Sequence, residues 1–317
     1  MENQSWFSGI DVAKDTLDVA FVRGDEEVVS QVSNTPAGWV ELIAACKEHP
    51  VDRMVLEATG GYERRVVAEL MAVGLPVVVI NPRQARDFAK ATGRLAKTDR
   101  LDAIGLARFA EAIRPPIRSL PDEKTAELQE KLARHRQLIQ MRTAESNRLA
   151  HAVSKAIRKS ILAVLELLER QIEALNEDIE RRIEESPAWR DKDRILQSAP
   201  GIGPCTSHAL LCNLPELGQC TRQQIAFLVG VAPMNRDSGK MRGARTICGG
   251  RGHVRQALYM AALVATRYNP LIREHYQHLL KQGKKKKVAM VACMRKLLCI
   301  LNAMLRNMET WNPNFST

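Results

Sequence analysis

The chain has 317 residues, 45% of them hydrophobic and 26% charged, with a formal net charge of +11. That is about two domains' length of ordinary globular protein. No apolar run in the sequence approaches the ~20 residues of a membrane span, and Met1 to Gln4 lack the basic-then-apolar start of a signal peptide, so a cytoplasmic protein with no membrane partner is expected. The seven cysteines form no Cys-x-x-Cys pair, which speaks against a zinc ribbon or a disulfide framework and for reduced, mostly buried thiols. The charge is unevenly spread. Residues 1–120 carry 15 Lys and Arg against 17 Asp and Glu, residues 121–187 carry 12 against 13, and residues 188–317 carry 20 against 6. The basic surplus lies wholly in the last segment, which points to a polyanionic partner there.

From the start, Trp6 to Asp11, Leu17 to Val22 and Val28 to Val32 read as three short strands joined by tight polar connections, an antiparallel meander. A helical stretch over 37–48 leads to a strand Arg53 to Glu57, a helix Tyr62 to Val73 and a strand Pro76 to Ile80. Strands separated by helices imply parallel crossovers. Three antiparallel strands followed by β-α-β is the order of the ribonuclease H-like fold.

Asp11 and Glu57 each interrupt an apolar strand. If the fourth strand lies parallel and adjacent to the first, the two acids come close together. Thr98-Asp99-Arg100-Leu101-Asp102 then reads as a helix start with two carboxylates at i and i+3, on one face of the first turn, where the helix dipole tolerates them. Each acid has a structural reading: Asp11 as a strand-end turn residue, Glu57 as a cap partner, the pair as a solvated helix start. Four carboxylates at one point instead require cations. Oxygen-only ligands suit Mg²⁺ or Mn²⁺, and paired ions are a common device for activating a phosphodiester.

Arg114-Pro115-Pro116-Ile117-Arg118-Ser119-Leu120-Pro121 cannot be helical throughout and marks a boundary. Beyond it the chain is almost free of Gly and Pro to about Glu185. Leu128, Leu132 and Ile139 lie on one stretch, and Leu165, Leu168, Ile172, Leu175, Ile179 and Ile183 on another form a heptad-like seam. A reversal around 154–160 suggests a hairpin of two long helices, serving as a dimerising coiled coil or as a plain spacer.

The last segment opens with Pro200-Gly201-Ile202-Gly203 before a helical run, similar to a helix-hairpin-helix, in which Gly201 and Gly203 let backbone amides approach a phosphate. No Gly-x-x-x-x-Gly-Lys-Ser/Thr is present, so no ATP loop is expected. Ser238 then sits among Arg236, Lys240, Arg242 and Arg245 in a glycine-rich loop followed by Arg251. A serine attacking phosphate needs its proton removed and the charge on the non-bridging oxygens matched, which arginines can do. A serine in an ordinary polar turn is the other reading. Lys284, Lys285, Lys286 and Lys287 form a run able to hold a nucleic-acid backbone, or a solvated loop.

Taken together, Ile10-Asp11-Val12-Ala13-Lys14, Glu57-Ala58-Thr59-Gly60-Gly61-Tyr62, Lys97 to Ala103, Pro200 to Gly203, Asp237-Ser238-Gly239 and Ala257 to Ala261 resemble, in order and over essentially the whole chain, the insertion-sequence one-ten family of DEDD transposases, similar to the Piv-type DNA invertases. The resemblance implies an α/β architecture: a RuvC-like domain over 1–116 with Asp11, Glu57, Asp99 and Asp102 as its metal site, a coiled-coil linker for dimerisation over 121–187, and a mostly helical transposase domain over 188–317 with Ser238 as nucleophile. It also implies donor and target DNA as substrates, a non-coding bridge RNA as guide, and homodimers assembling to a tetramer. The alternatives are a junction-resolving, metal-dependent endonuclease that uses water, and a non-catalytic nucleic-acid-binding protein.

Overall fold

The computed structural model describes residues 5–94, 96, 98–117, 123–239 and 241–313. It divides into two compact units, Met1–Pro121 and Asp122–Thr317.

In the first unit, β1 (Trp6–Val12), β2 (Thr16–Arg23) and β3 (Glu26–Ser33) form the meander. They are followed by α1 (Pro36–Glu48), β4 (Val51–Glu57), α2 (Glu63–Ala72), β5 (Val77–Ile80), α3 (Pro82–Ala91) and α4 (Asp99–Ile113). The sheet order is β3-β2-β1-β4-β5. β1 pairs antiparallel with β2 and parallel with β4, so Asp11's strand lies beside Glu57's. Alternation along β1 sends Trp6, Ile10 and Val12 into a core with Trp39, Leu42, Val66 and Leu70 of α1 and α2. Phe7 goes the other way, into a second core with Ala103, Leu106, Ala107 and Phe109 of α4. With both faces covered, the central strands read as nearly continuous apolar runs, and an acid in one of them stands out.

The helix α3 was not among the elements expected from sequence. It buries no residue fully, and only Phe88 and Ala85 reach the core, so it has little apolar periodicity. Its start is set by a capping box between Asn81 and Gln84, with Pro82 in the first turn. Thr98 caps α4, its hydroxyl accepting from the Leu101 N–H at 3.2 Å, and α4 ends where Arg114 turns left-handed (φ 46°) ahead of Pro115 and Pro116.

The second unit begins with α5 (Glu123–His151) and α6 (Lys155–Glu185), the expected hairpin. Arg158 closes its turn by donating to the carbonyls of Leu149 (3.0 Å) and Ala152 (3.2 Å) at the end of α5. The seam is used within the chain: Leu128 and Leu132 pack with Ile179 and Ile183, and Leu138 packs with Leu168 and Ile172. Leu138 takes the inward place, and the expected Ile139 is only partly buried. Then follow α7 (Pro187–Gln197), α8 (Pro204–Asn213), α9 (Arg222–Val229), the short strands β6 (Pro233–Met234), β7 (Asp237–Ser238), β8 (Met241–Arg242) and β9 (Thr246–Ile247), and the helices α10 (Gly252–Tyr268), α11 (Pro270–Lys281) and α12 (Lys286–Asn307). By length and composition α12 is apolar enough to cross a membrane, contrary to the reading of the sequence alone. Its 18-residue apolar window is 67% buried inside the unit, where Cys293, Leu297, Leu301 and Met304 meet α7 to α10. All seven cysteines are free, and four of them are buried.

Candidate functional site

Asp11 lies opposite Asp18 in the β1–β2 register and one step past the Ile10–Leu56 pair of β1 and β4, beside Glu57. Residues on adjacent strands in register point to the same face, here the face that α4 covers. The covering is close because residue 9 is glycine: a Cβ there would overlap the Ala103 carbonyl oxygen and the Ala107 nitrogen. α4 therefore rests on the β1 backbone, and its first turn carries Asp99 and Asp102 toward Asp11.

The electrostatics record the result. Burial pushes the Asp11 carboxyl up from 3.8, and Asp102, Asp99, Glu57 and Asp18 add to it in that order, bringing it to about 6. Asp18 is a fifth acid that the sequence reading did not single out. It is buried, and both its oxygens accept from the Gln31 side-chain amide, at 3.2 and 3.1 Å.

The loop after Glu57 is fastened from below by Glu63, a buried acid at the start of α2. One Glu63 oxygen accepts from the N–H groups of Gly61 (2.8 Å) and Thr59 (3.2 Å) and from the Thr59 hydroxyl (3.2 Å). Gly60 (φ 78°) and Gly61 (φ 117°) adopt the backbone this wrap requires. The run from Glu57 to Tyr62 is thus a strand end and a tight loop held by a side chain just beyond it.

In kind, the acids suit a hard divalent cation: every donor is a carboxylate, and Asp11 is crowded by the like charges of Asp102, Asp99 and Glu57. In geometry they are neighbours and not yet a closed shell. Among the described residues no group of three or more His, Cys, Asp or Glu side chains is drawn together tightly enough to hold a metal ion. Binding one requires the carboxylates to turn inward.

Ser238 belongs to the second unit. It sits at the end of β7, and its pairing with Met241 of β8 closes a tight hairpin through Gly239 (φ 55°). The serine is exposed, as are Arg236, Arg242 and Arg245, while Lys240 lies outside the described residues. The hairpin leaves the hydroxyl and these three side chains open to solvent. Lys284 to Lys287 are all exposed, and they run into the first turn of α12. A helix amino terminus repels cations, so this placement is electrostatically unfavourable within the chain alone.

Two sequence assignments change character. Arg251 is held by Glu216 through two bonds of 2.6 Å and by the Asn213 carbonyl at 2.9 Å. These bonds commit much of its guanidinium to the protein, which gives Arg251 a structural role beside the nucleic-acid contact expected of it. Gly201 (φ 103°) packs on α10, where a Cβ would fall 2.8 Å from that of Ala265, so close packing accounts for the glycine. Gly203 is exposed and precedes α8.

Residues 8–157 match the family model of the IS110 DEDD transposases, described as "Transposase", and residues 193–277 match "Transposase IS116/IS110/IS902 family". The chain belongs to the IS110/IS116/IS902 family of transposases. The "Pilin gene-inverting protein" of Moraxella lacunata is 28% identical over 313 residues, 95% of each chain, and that of Moraxella bovis matches equally. The "Insertion element IS900 uncharacterized 42 kDa protein" of Mycobacterium paratuberculosis is 29% identical over 49% of this chain and 40% of its own. Among solved structures, "T. thermophilus RuvC in complex with Holliday junction substrate" aligns with 34% of this chain and 96% of that one, at 13% identity and a TM-score of 0.28. As a member of this family, the chain is a transposase enzyme.

Proposed function

We propose that this chain is a metal-dependent DNA recombinase that cuts and rejoins DNA by transesterification through a phosphoserine at Ser238, guided by a structured bridge RNA. The observation that carries the reading is the gathering of Asp102, Asp99 and Glu57 about Asp11, whose carboxyl rises to about 6. In this reading the four acids hold Mg²⁺, or Mn²⁺ in its place. When bound, the ion polarises the scissile phosphate and lowers the cost of forming an alkoxide.

The relatives named as gene-inverting proteins favour recombination over cutting alone, since an inversion leaves the DNA continuous. Ser238 Oγ gives up its proton and forms a bond to phosphorus, the bond from phosphorus to the bridging deoxyribose oxygen breaks, and that oxygen takes up a proton to leave as a hydroxyl. The hydroxyl of a new strand then reverses the step. The phosphodiester's energy is conserved throughout, in keeping with a sequence that has no ATP loop. Arg236, Lys240, Arg242 and Arg245 match the charge on the non-bridging oxygens, and Lys284 to Lys287 hold backbone, as a net basic segment would. Protomers pair into dimers and a tetramer around donor and target DNA in the bacterial cytoplasm.

The test is a denaturing gel of labelled substrate DNA incubated with the chain, Mg²⁺ and the RNA encoded beside its gene. Wild type gives DNA that migrates with protein, and Ser238→Ala gives none. Nicking by Ser238→Ala at the native position and near wild-type rate would instead make water the nucleophile.

A further inference from the structure

The first unit, with 15 basic against 17 acidic residues, offers no overall attraction to a polyanion. Its fold nonetheless gathers cations beside the acids. A cleft of about 630 Å³ runs between α3 and α4, with Glu57 and Asp102 on one wall and Arg86, Lys90 and Arg94 on the other. Phe88 anchors α3 edge-on against Phe109 of α4, ring centroids 5.4 Å apart. At 100° per residue this turns Arg86 and Lys90 together, away from the core, and Arg94 follows just past the helix end. All three are exposed. Among the described residues none of them has an ion-pair partner, whereas Arg83, off the cleft on the same helix, pairs with Asp87 at 3.5 Å.

A second observation comes from Gly105. It lies in the interior of α4 and lines the same cleft. Glycine is the poorest helix former after proline, and the usual structural reasons for tolerating it do not apply. Its backbone is ordinary helix, and a Cβ built there would meet nothing within 4 Å. Gly9 and Gly201, by contrast, are each required by a neighbouring helix. Gly105 keeps open a space that no part of the described chain fills.

We propose that a DNA strand passes through this cleft, its successive phosphates on Arg86, Lys90 and Arg94 and its backbone crossing α4 at Gly105, so that the scissile linkage arrives at Glu57 and Asp102. The cations supply sequence-independent attraction at the one place where the unit's acids would otherwise repel a phosphodiester. The bare helix surface at Gly105 allows the strand to lie close. The proposal rests on the acids being the metal-dependent site, and it adds how substrate is held there. Arg86, Lys90 and Arg94 are positioning residues in this scheme.

The test uses the full chain and a labelled DNA oligonucleotide, with binding followed by anisotropy across a salt series. The triple variant Arg86→Gln/Lys90→Gln/Arg94→Gln is expected to lower the slope of log affinity against log salt by about 2, at roughly 0.7–0.9 for each phosphate left without its cation. Gly105→Leu is expected to weaken DNA binding while its melting temperature is kept or raised, because leucine favours the helix. Arg83→Gln should change neither. An unchanged slope in the triple variant overturns the cleft as a DNA track, and so does a slope reduction seen with an RNA oligonucleotide but not with DNA. Thermal melting with Mn²⁺ separates this failure from failure of the underlying reading. If Mn²⁺ still stabilises the wild type, the acid site stands without the track. If it does not, the acid site falls and the proposal with it.

Discussion

Gly9 of β1 lies directly under Ala103 of α4, so close that the helix backbone occupies the place a side chain at residue 9 would take. This packing sets the height of α4 above the sheet and, through it, the position of Asp99 and Asp102 over Asp11. Gly9→Ala forces the helix to lift or tilt. Overpacking of this kind typically costs about 1–3 kcal/mol, and the acids at the first turn of α4 move with it. The variant is expected to fold with a lower melting temperature and to lose metal-dependent cleavage out of proportion to that loss. Full activity in a destabilised Gly9→Ala protein would mean that the acids do not depend on this seating.

Asp11 carries its own pH signature. Its carboxyl sits near 6 in the folded chain, against 3.8 as the ordinary value, so between those values the folded state binds the proton more tightly than the unfolded state. Stability contributed through this group therefore falls as pH rises from about 4 to 6, and the deficit is complete above that window. Asp11→Asn removes the charge and should melt at a higher temperature than wild type at pH 7.5, with the two converging near pH 3.5. Added Mg²⁺ should narrow the gap at pH 7.5 by stabilising wild type selectively. A variant less stable than wild type at pH 7.5 without metal would show that the neighbouring acids do not burden Asp11.

Glu63 offers a test of positioning without ligation. Its single oxygen gathers three donors from the loop that follows Glu57. Glu63→Ala leaves those donors without their acceptor, at a cost of about 1–3 kcal/mol, and frees the end of β4. Weaker apparent Mg²⁺ affinity, by roughly 10-fold or more, should accompany the drop in melting temperature, with DNA binding little changed. Unaltered metal dependence would confine Glu63 to a structural role.

How much of this was legible in the sequence follows from where each residue finds its partner. Asp11 and Glu57 stood out because a charged residue inside an apolar strand breaks a local pattern, and Asp99 with Asp102 because their spacing fits one helical face. The meander and its parallel fourth strand could be read from the order of elements. Gly9 could not be interpreted the same way, since its meaning depends on a helix some ninety residues later. Asp18 reads as an ordinary polar alternation until its register with Asp11 is known. α3 escaped because Phe88 is its one large apolar residue. The structural role of Arg251 is hidden for the same kind of reason: residue type and a glycine-rich setting suggest phosphate, while Glu216, thirty-five positions earlier, binds the guanidinium.

That contrast between Arg251 and the lysine run gives the last prediction. Arg251 is half-buried and bonded twice to Glu216, so Arg251→Gln leaves a carboxylate and the Asn213 carbonyl without their donor. A cost of about 1–3 kcal/mol is expected, which lowers the melting temperature by several degrees in a unit of this size. Its effect on the salt dependence of nucleic-acid binding should be negligible. Lys284, Lys285, Lys286 and Lys287 are exposed at the amino terminus of α12, where the helix dipole opposes them. Replacing all four with Gln should leave the melting temperature unchanged or slightly raised. It should weaken binding to all DNA sequences about equally and reduce the slope of log affinity against log salt by roughly 3. The two variants thus exchange phenotypes, stability for one and salt slope for the other. A lysine variant that retains the wild-type slope would return that run to a solvated helix end, and an Arg251→Gln protein that loses slope without losing stability would restore Arg251 to the nucleic-acid surface.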